Sequence, residues 1–170
     1  MTESQREPVP RNDDGELDTA LAFLSFARNC VLKKADGLTD EQLRRVLVGS
    51  GTSILGLIQH LTVGERYWFG FHLLGSGSDR DPDRDEDWDF GMDVPADRGS
   101  DQVLADYRAA IAASDKAIRS IGDPDTLAAR PVDGKLLSLR WLLAHATSET
   151  ARHAGHADIL REQLDGVTGR

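Results

Sequence analysis

WLLAHATSETARHAGHADILRE, Trp141 to Glu162, carries an amphipathic helical pattern with an unusual inner face. Leu142, His145, Glu149, His153, His156 and Leu160 follow one another at spacings of three and four. At about 100° per residue all six fall within an arc of roughly 80° on one helix face. Leucines hold both ends of that face, and four ionisable side chains hold its middle. A buried carboxylate left unpaired costs several kcal/mol, so these groups must be hydrogen-bonded, ion-paired or metal-bound. This helix, the fourth of the chain, is predicted from Ser138 to Gln163 with Ser138 as its cap.

The same period recurs along the rest of the chain. ELDTALAFLSFARNCVLKKADGL carries Leu17, Leu21, Leu24, Ala27 and Val31 at helical spacing and stops at Gly37, which defines helix one. Thr39, with Gln42 three residues on, forms a capping box for a short extra helix in TDEQLRRVL. Helix two runs from Ser53 to Leu74 without proline, capped by Thr52 or Ser53. Residues 75–100 are rich in Gly, Asp and Pro and read as a long loop, of the kind that tends to be functional. Helix three, capped by Ser100 or Asp101, ends at Gly122. The expectation is an all-α four-helix bundle, with the short helix between helices one and two and the long loop between helices two and three. Residues 16–170 form its single domain, and the polar segment 1–15 reads as a disordered lead-in with none of the apolar core of a signal peptide.

Composition narrows the function. The net charge of −9 argues against nucleic acid as a partner, since binding phosphate backbones needs a basic surface. No apolar run reaches the roughly 20 residues that span a bilayer, so no membrane partner is expected. Cys30 is the sole cysteine, flanked by Asn29 and Val31 in helix one, and reads as a buried reduced thiol of a cytoplasmic protein. His72, next to the loop, reads as a surface residue.

Helix two repeats the anomaly of helix four. His60 lies beside the apolar face of Ile54, Leu57, Ile58 and Leu61, with Gly56 and Gly64 one turn before and after it. Glycine inside a helix costs about 1 kcal/mol relative to alanine, so the pair either leaves a groove around His60 or permits close packing. Glu149 and His153 stand at the i, i+4 spacing by which one helix offers two ligands to one ion, as in other bundle-core metal sites. Spacing alone leaves metal ligation and hydrogen-bonded pairing both open. The pattern is not HExxH, in which the glutamate lies between two histidine ligands. Alternating Asp81, Asp83, Asp85, Asp87 and Asp89 do not make a calcium loop either, because Glu86 and Met92 stand where glycine and glutamate are required. That segment reads as a solvated surface pinned by Trp88 and Phe90.

SGTSILGLIQHLTVGERYWF together with WLLAHATSETARHAGHADILRE resembles the DinB-like superfamily of four-helix metal-binding bundles, in the branch related to mycothiol-dependent maleylpyruvate isomerase. The likeness extends through RNCVLKKADGLTDEQLRR and VLADYRAAIAASD. It implies a divalent metal, zinc before nickel or another ion, on His60, Glu149 and His153, with His145 and His156 in supporting catalytic roles. Three protein ligands leave a position open, as in catalytic rather than structural zinc sites. The resemblance also implies mycothiol or a similar small thiol as cosubstrate. A free thiol has a pKa near 8.5, and metal binding deprotonates it. The expected activity is thiol transfer to a small electrophile, or its isomerisation by addition and elimination. A non-catalytic metal-binding sensor, or a hydrolase with water in the open position, fits the same ligands. Pairing of two chains through helix faces is a further expectation.

Overall fold

Local signals set most helix ends. The computed structural model describes residues 7–76 and 91–169. Within them Glu16–Lys33 forms α1, Asp40–Arg44 α2, Ile54–Glu65 α3, Ser100–Ile121 α4 and Leu139–Asp165 α5. The chain is thus an all-α bundle with the short extra helix, α2, where the capping box put it: Thr39 Oγ1 accepts from Gln42 N, and the Gln42 side chain accepts from Thr39 N. Ser53 caps α3 by accepting from Gly56 N at 3.0 Å, and Ser138 caps α5 by accepting from Trp141 N at 3.3 Å. At α4 neither Ser100 nor Asp101 is the cap; Gly99 is, with no side-chain bond of its own. Asp40 of α2 instead accepts from Ser100 N at 2.9 Å, so the orphan donor is satisfied from another helix. Trp88, Phe90 and the aspartates from Asp81 to Asp89 lie outside the described residues.

The expected helix two is continuous, but after Glu65 it widens into a π-helix, Arg66–Leu73. Such turns are rare and concentrate at functional sites. Here the wider coil buries Tyr67, Phe69, Phe71, His72 and Leu73. His72 is therefore a correction: it is 1% exposed, not a surface residue. The connection from α4 to α5 folds back over it, with Arg130 N donating to His72 O at 3.0 Å and Ala129 N to Leu73 O at 3.2 Å. The Arg130 guanidinium sits 4.2 Å above the Phe71 ring.

α1 packs along α5, and α3 along α4 and α5. Their apolar faces form two clusters rather than one. Val31, Ile58, Leu61, Tyr107 and Leu160 belong to the first, and Leu24, Phe69, Ile118, Leu139 and Leu142 to the second. Between them each long helix turns a polar group inward. Arg28 donates to both Glu65 oxygens at 2.6 Å and to Asp115 at 2.8 Å. Thr62, Ser114, Thr150 and His153 are buried as well. Arg28 and Glu65 are 1% and 5% exposed, and the guanidinium's hydrogen bonds to Glu65 and Asp115 offset the cost of burying it. This polar level across the middle of the bundle is where the candidate site lies.

Candidate metal centre

α3 brings His60 to α5 at the polar level. Glu149 and His153, one turn apart on α5, share a face, and His153 Nε2 lies 2.8 Å from Glu149 Oε1. His60 Nε2 faces the same oxygen at 3.6 Å, and the His60 and His153 rings meet edge to face with centroids 4.9 Å apart. One donor atom from each of the three lies within 4.8 Å of the others. The other glutamate oxygen, Oε2, accepts from Arg152 Nη2, which fixes the carboxylate's rotation and leaves Oε1 turned to the two imidazoles. His156 Nδ1 stands 3.3 Å from His153 Nδ1, so the two nitrogens of the His153 ring have different partners.

The electrostatics suit ligation. Burial lowers the His153 pKa against the opposing pull of Glu149, so the ring is neutral at neutral pH. Burial pushes the Glu149 carboxyl up, but the hydrogen bond from His153, with the nearby Arg152 charge and the contact with His60, outweighs it and holds the carboxyl below its usual value. Neutral imidazole and ionised carboxylate are the forms a cation requires.

His60 and Glu149 stand on the wall of a cleft of about 310 Å³ that continues past Gly64 to Trp68, Phe69 and His145. His145 stacks on Trp141, with centroids 5.0 Å apart and planes 7° apart, and meets Trp68 edge-on at 4.5 Å. Burial lowers the His145 pKa as well, although Glu149 opposes it. The structure thus brings His60, Glu149 and His153 together, sets His156 against His153 and leaves His145 further along the cleft. The two glycines part company. A Cβ on Gly64 would meet nothing within 4 Å, and Gly64 lines the cleft. A Cβ on Gly56 would lie 2.4 Å from Met92 O, so that glycine admits the returning chain and leaves no groove.

Sequence reasoning missed four residues. Arg28 follows Leu24 by four and precedes Val31 by three, the spacing of a core position, and Glu65 follows Leu61 by four. Charges at apolar spacing on two helices were the signal for that pair. Arg152 and Trp68 gave none, because an Arg one residue before His153 and a Trp in an aromatic run read as solvent-facing and core residues.

The fold is a small helical bundle in which two histidines and a glutamate converge at the end of a cleft, a donor set that could hold a metal ion. The family model for mycothiol S-transferase matches residues 19–166, and the chain belongs to that family, in line with the DinB-like resemblance. No curated protein matches the chain.

Proposed function

We propose that this protein is a metal-dependent thiol S-transferase that joins mycothiol, or a closely similar small thiol, to a small electrophile. The observation that carries the reading is the convergence of His60, Glu149 and His153 within 4.8 Å at the wall of an open cleft, in a chain of the mycothiol S-transferase family. The donor set fits a divalent ion such as zinc: two imidazole nitrogens and one carboxylate oxygen, with that oxygen facing both rings. When bound, such an ion supplies a positive charge that lowers the pKa of a thiol well below its free value near 8.5.

The remaining roles belong to the chain. Arg152 holds Glu149 Oε2, so that Oε1 keeps its direction. His156 Nδ1 can accept a hydrogen bond from His153 Nδ1–H, the tautomer that leaves the lone pair of His153 Nε2 for the site. His145 is neutral and lines the cleft beyond the triad, where its ring, stacked on Trp141, offers a guest an aromatic face and a polar nitrogen. Leu61 and Phe69 line the cleft's apolar wall. The family match supports transfer over isomerisation.

The test is a rate measurement with mycothiol and monochlorobimane, using zinc-loaded protein and protein stripped by chelator. The expected result is a metal-dependent acceleration that is nearly flat across neutral pH, where the uncatalysed rate still climbs, and that disappears in His60→Ala. Equal rates with and without protein would overturn the reading.

A further inference from the structure

The cleft changes character along its length. One end holds His60 and Glu149; the other is aromatic, with Trp68 and His145 on its wall and Trp141 stacked behind His145. Trp68 and Trp141 also approach each other, with centroids 5.9 Å apart at a tilt of 59°. In the cleft wall, among the described residues, Arg152 is the sole Lys or Arg, and its guanidinium is engaged by Glu149. The two carboxylates lining the cleft, Glu65 and Glu149, are both held in ion pairs. A dianionic guest would meet those carboxylates and no free cation on the described wall. A flat uncharged ring would meet π faces.

A second recess lies beyond His153. It measures about 210 Å³ and is lined by Val48, Ser50, Thr52, His156, Ile159 and Leu160. Ser50 and Thr52 share a hydrogen bond of 2.9 Å, so this recess presents hydroxyls where the first presents rings. The His153 ring stands between the two, with Glu149 on one nitrogen and His156 on the other. A transfer reaction has two reactants of different polarity, and the chain provides two recesses of different polarity around one triad.

We infer that the aromatic end of the larger cleft is the electrophile's subsite, and that it takes a planar, uncharged aromatic or quinone-like ring laid against Trp68 and His145, its reactive edge toward His60 and Glu149. This rests on the transferase reading for the ring's role as electrophile; the binding of the ring does not. Bicyclic rings of about ten carbon atoms fit a volume of about 310 Å³ with room to approach the triad. Aromatic pairs in offset or edge-to-face geometry add to what area burial alone supplies.

Binding therefore gives a test that needs no turnover. The full-length protein, with and without one equivalent of zinc, is titrated with 2-naphthol and with 2-naphthoate, and binding is followed by calorimetry and by the indole N–H signals in nitrogen-15 NMR spectra. The expected result is that 2-naphthol binds, shifts the Trp68 and Trp141 indole signals, and loses roughly tenfold in affinity in Trp68→Leu but little in Trp68→Phe. Phe23→Ala, at a surface groove on α1, leaves binding unchanged. The wild-type signals map the site even if Trp68→Leu unfolds. Binding that leaves both indole signals unmoved, or 2-naphthoate binding as tightly as 2-naphthol, overturns the subsite. If naphthol binds as described but no thiol transfer is found, the transferase reading alone fails; if transfer proceeds without ring binding at Trp68, the subsite alone fails.

Discussion

His60 Nε2 on α3 faces Glu149 Oε1 on α5 across 3.6 Å, although 89 residues separate them (149 − 60). Both helices are held there by the apolar clusters above and below, so the packing of the bundle itself brings the donor atoms together. One divalent ion per chain is expected to bind. His60→Ala, Glu149→Ala and His153→Ala should each weaken binding strongly while far-ultraviolet circular dichroism stays near that of the parent. Calorimetric titration with zinc reads the first effect. In the parent, zinc at 100 times its Kd should add about 2.7 kcal/mol of stability, an increment each variant loses.

His156 has no place among the three donors, yet it stands 3.3 Å from His153 Nδ1. A partner on the second ring nitrogen fixes tautomer and ring orientation, and losing one typically costs about 10- to 100-fold in metal affinity. His156→Ala should fall in that range, and His156→Gln, which keeps a hydrogen-bonding group, should recover part of it. The same zinc titration distinguishes them.

The sequence showed the helices because their leucine spacing is local and repeats over several turns. It showed His60, Glu149 and His153 because polar groups on an apolar face are conspicuous against that repeat. What lay beyond it depended on chain-distant neighbours. His72 is covered in part by the connection carrying Arg130, which returns over it, and the first orphan donor of α4 is met by Asp40, 60 residues upstream. Nor does helical spacing distinguish an α from a π turn, so the contact of Trp68 with His145, centroids 4.5 Å apart, could not be read in advance.

Gly56 and Gly64 illustrate the same point and make a prediction. A Cβ at Gly56 would press on the Met92 carbonyl and its Cβ at 2.4 and 2.9 Å, and backbone cannot move aside cheaply. Gly56→Ala should destabilise by about 1–3 kcal/mol, as overpacking does. Gly64→Ala meets open space and replaces a poor helix former by the best one, so it should be neutral or stabilise by up to about 1 kcal/mol. Urea unfolding of the two variants checks the opposite signs.

Glu65 satisfies the Arg28 guanidinium where water does not reach, both side chains being almost wholly buried. Glu65→Ala would leave the buried Arg28 with Asp115 alone, at 2.8 Å, so it should lose up to about 3–5 kcal/mol in chemical denaturation, the upper end being the cost of a fully stranded charge. The loss should shrink markedly in Arg28→Met/Glu65→Leu, where the buried guanidinium is gone. If the double variant is as unstable as the single, packing rather than charge accounts for the effect.

Cys30 supplies a prediction about pH. Its thiol is buried, and burial, with the negative charges of Glu7 and Asp158, raises its pKa against the smaller pull of Lys34 and Lys33. The folded state therefore holds this proton at pH values where the unfolded chain has released it. By linkage, the contribution is fully present below the free thiol's pKa of about 8.5 and is lost as pH rises through the higher folded value. Stability measured by urea unfolding should thus fall from pH 8 upward more steeply in the parent than in Cys30→Ala, after allowance for the methyl-sized cavity at neutral pH. The folded protein should also react slowly with a thiol-specific probe at pH 7 and fast once unfolded in urea. Rapid labelling of the folded chain at pH 7 would contradict the raised pKa, and it would make Cys30 itself a competing nucleophile in any thiol-transfer assay, to be removed before rates are assigned to mycothiol.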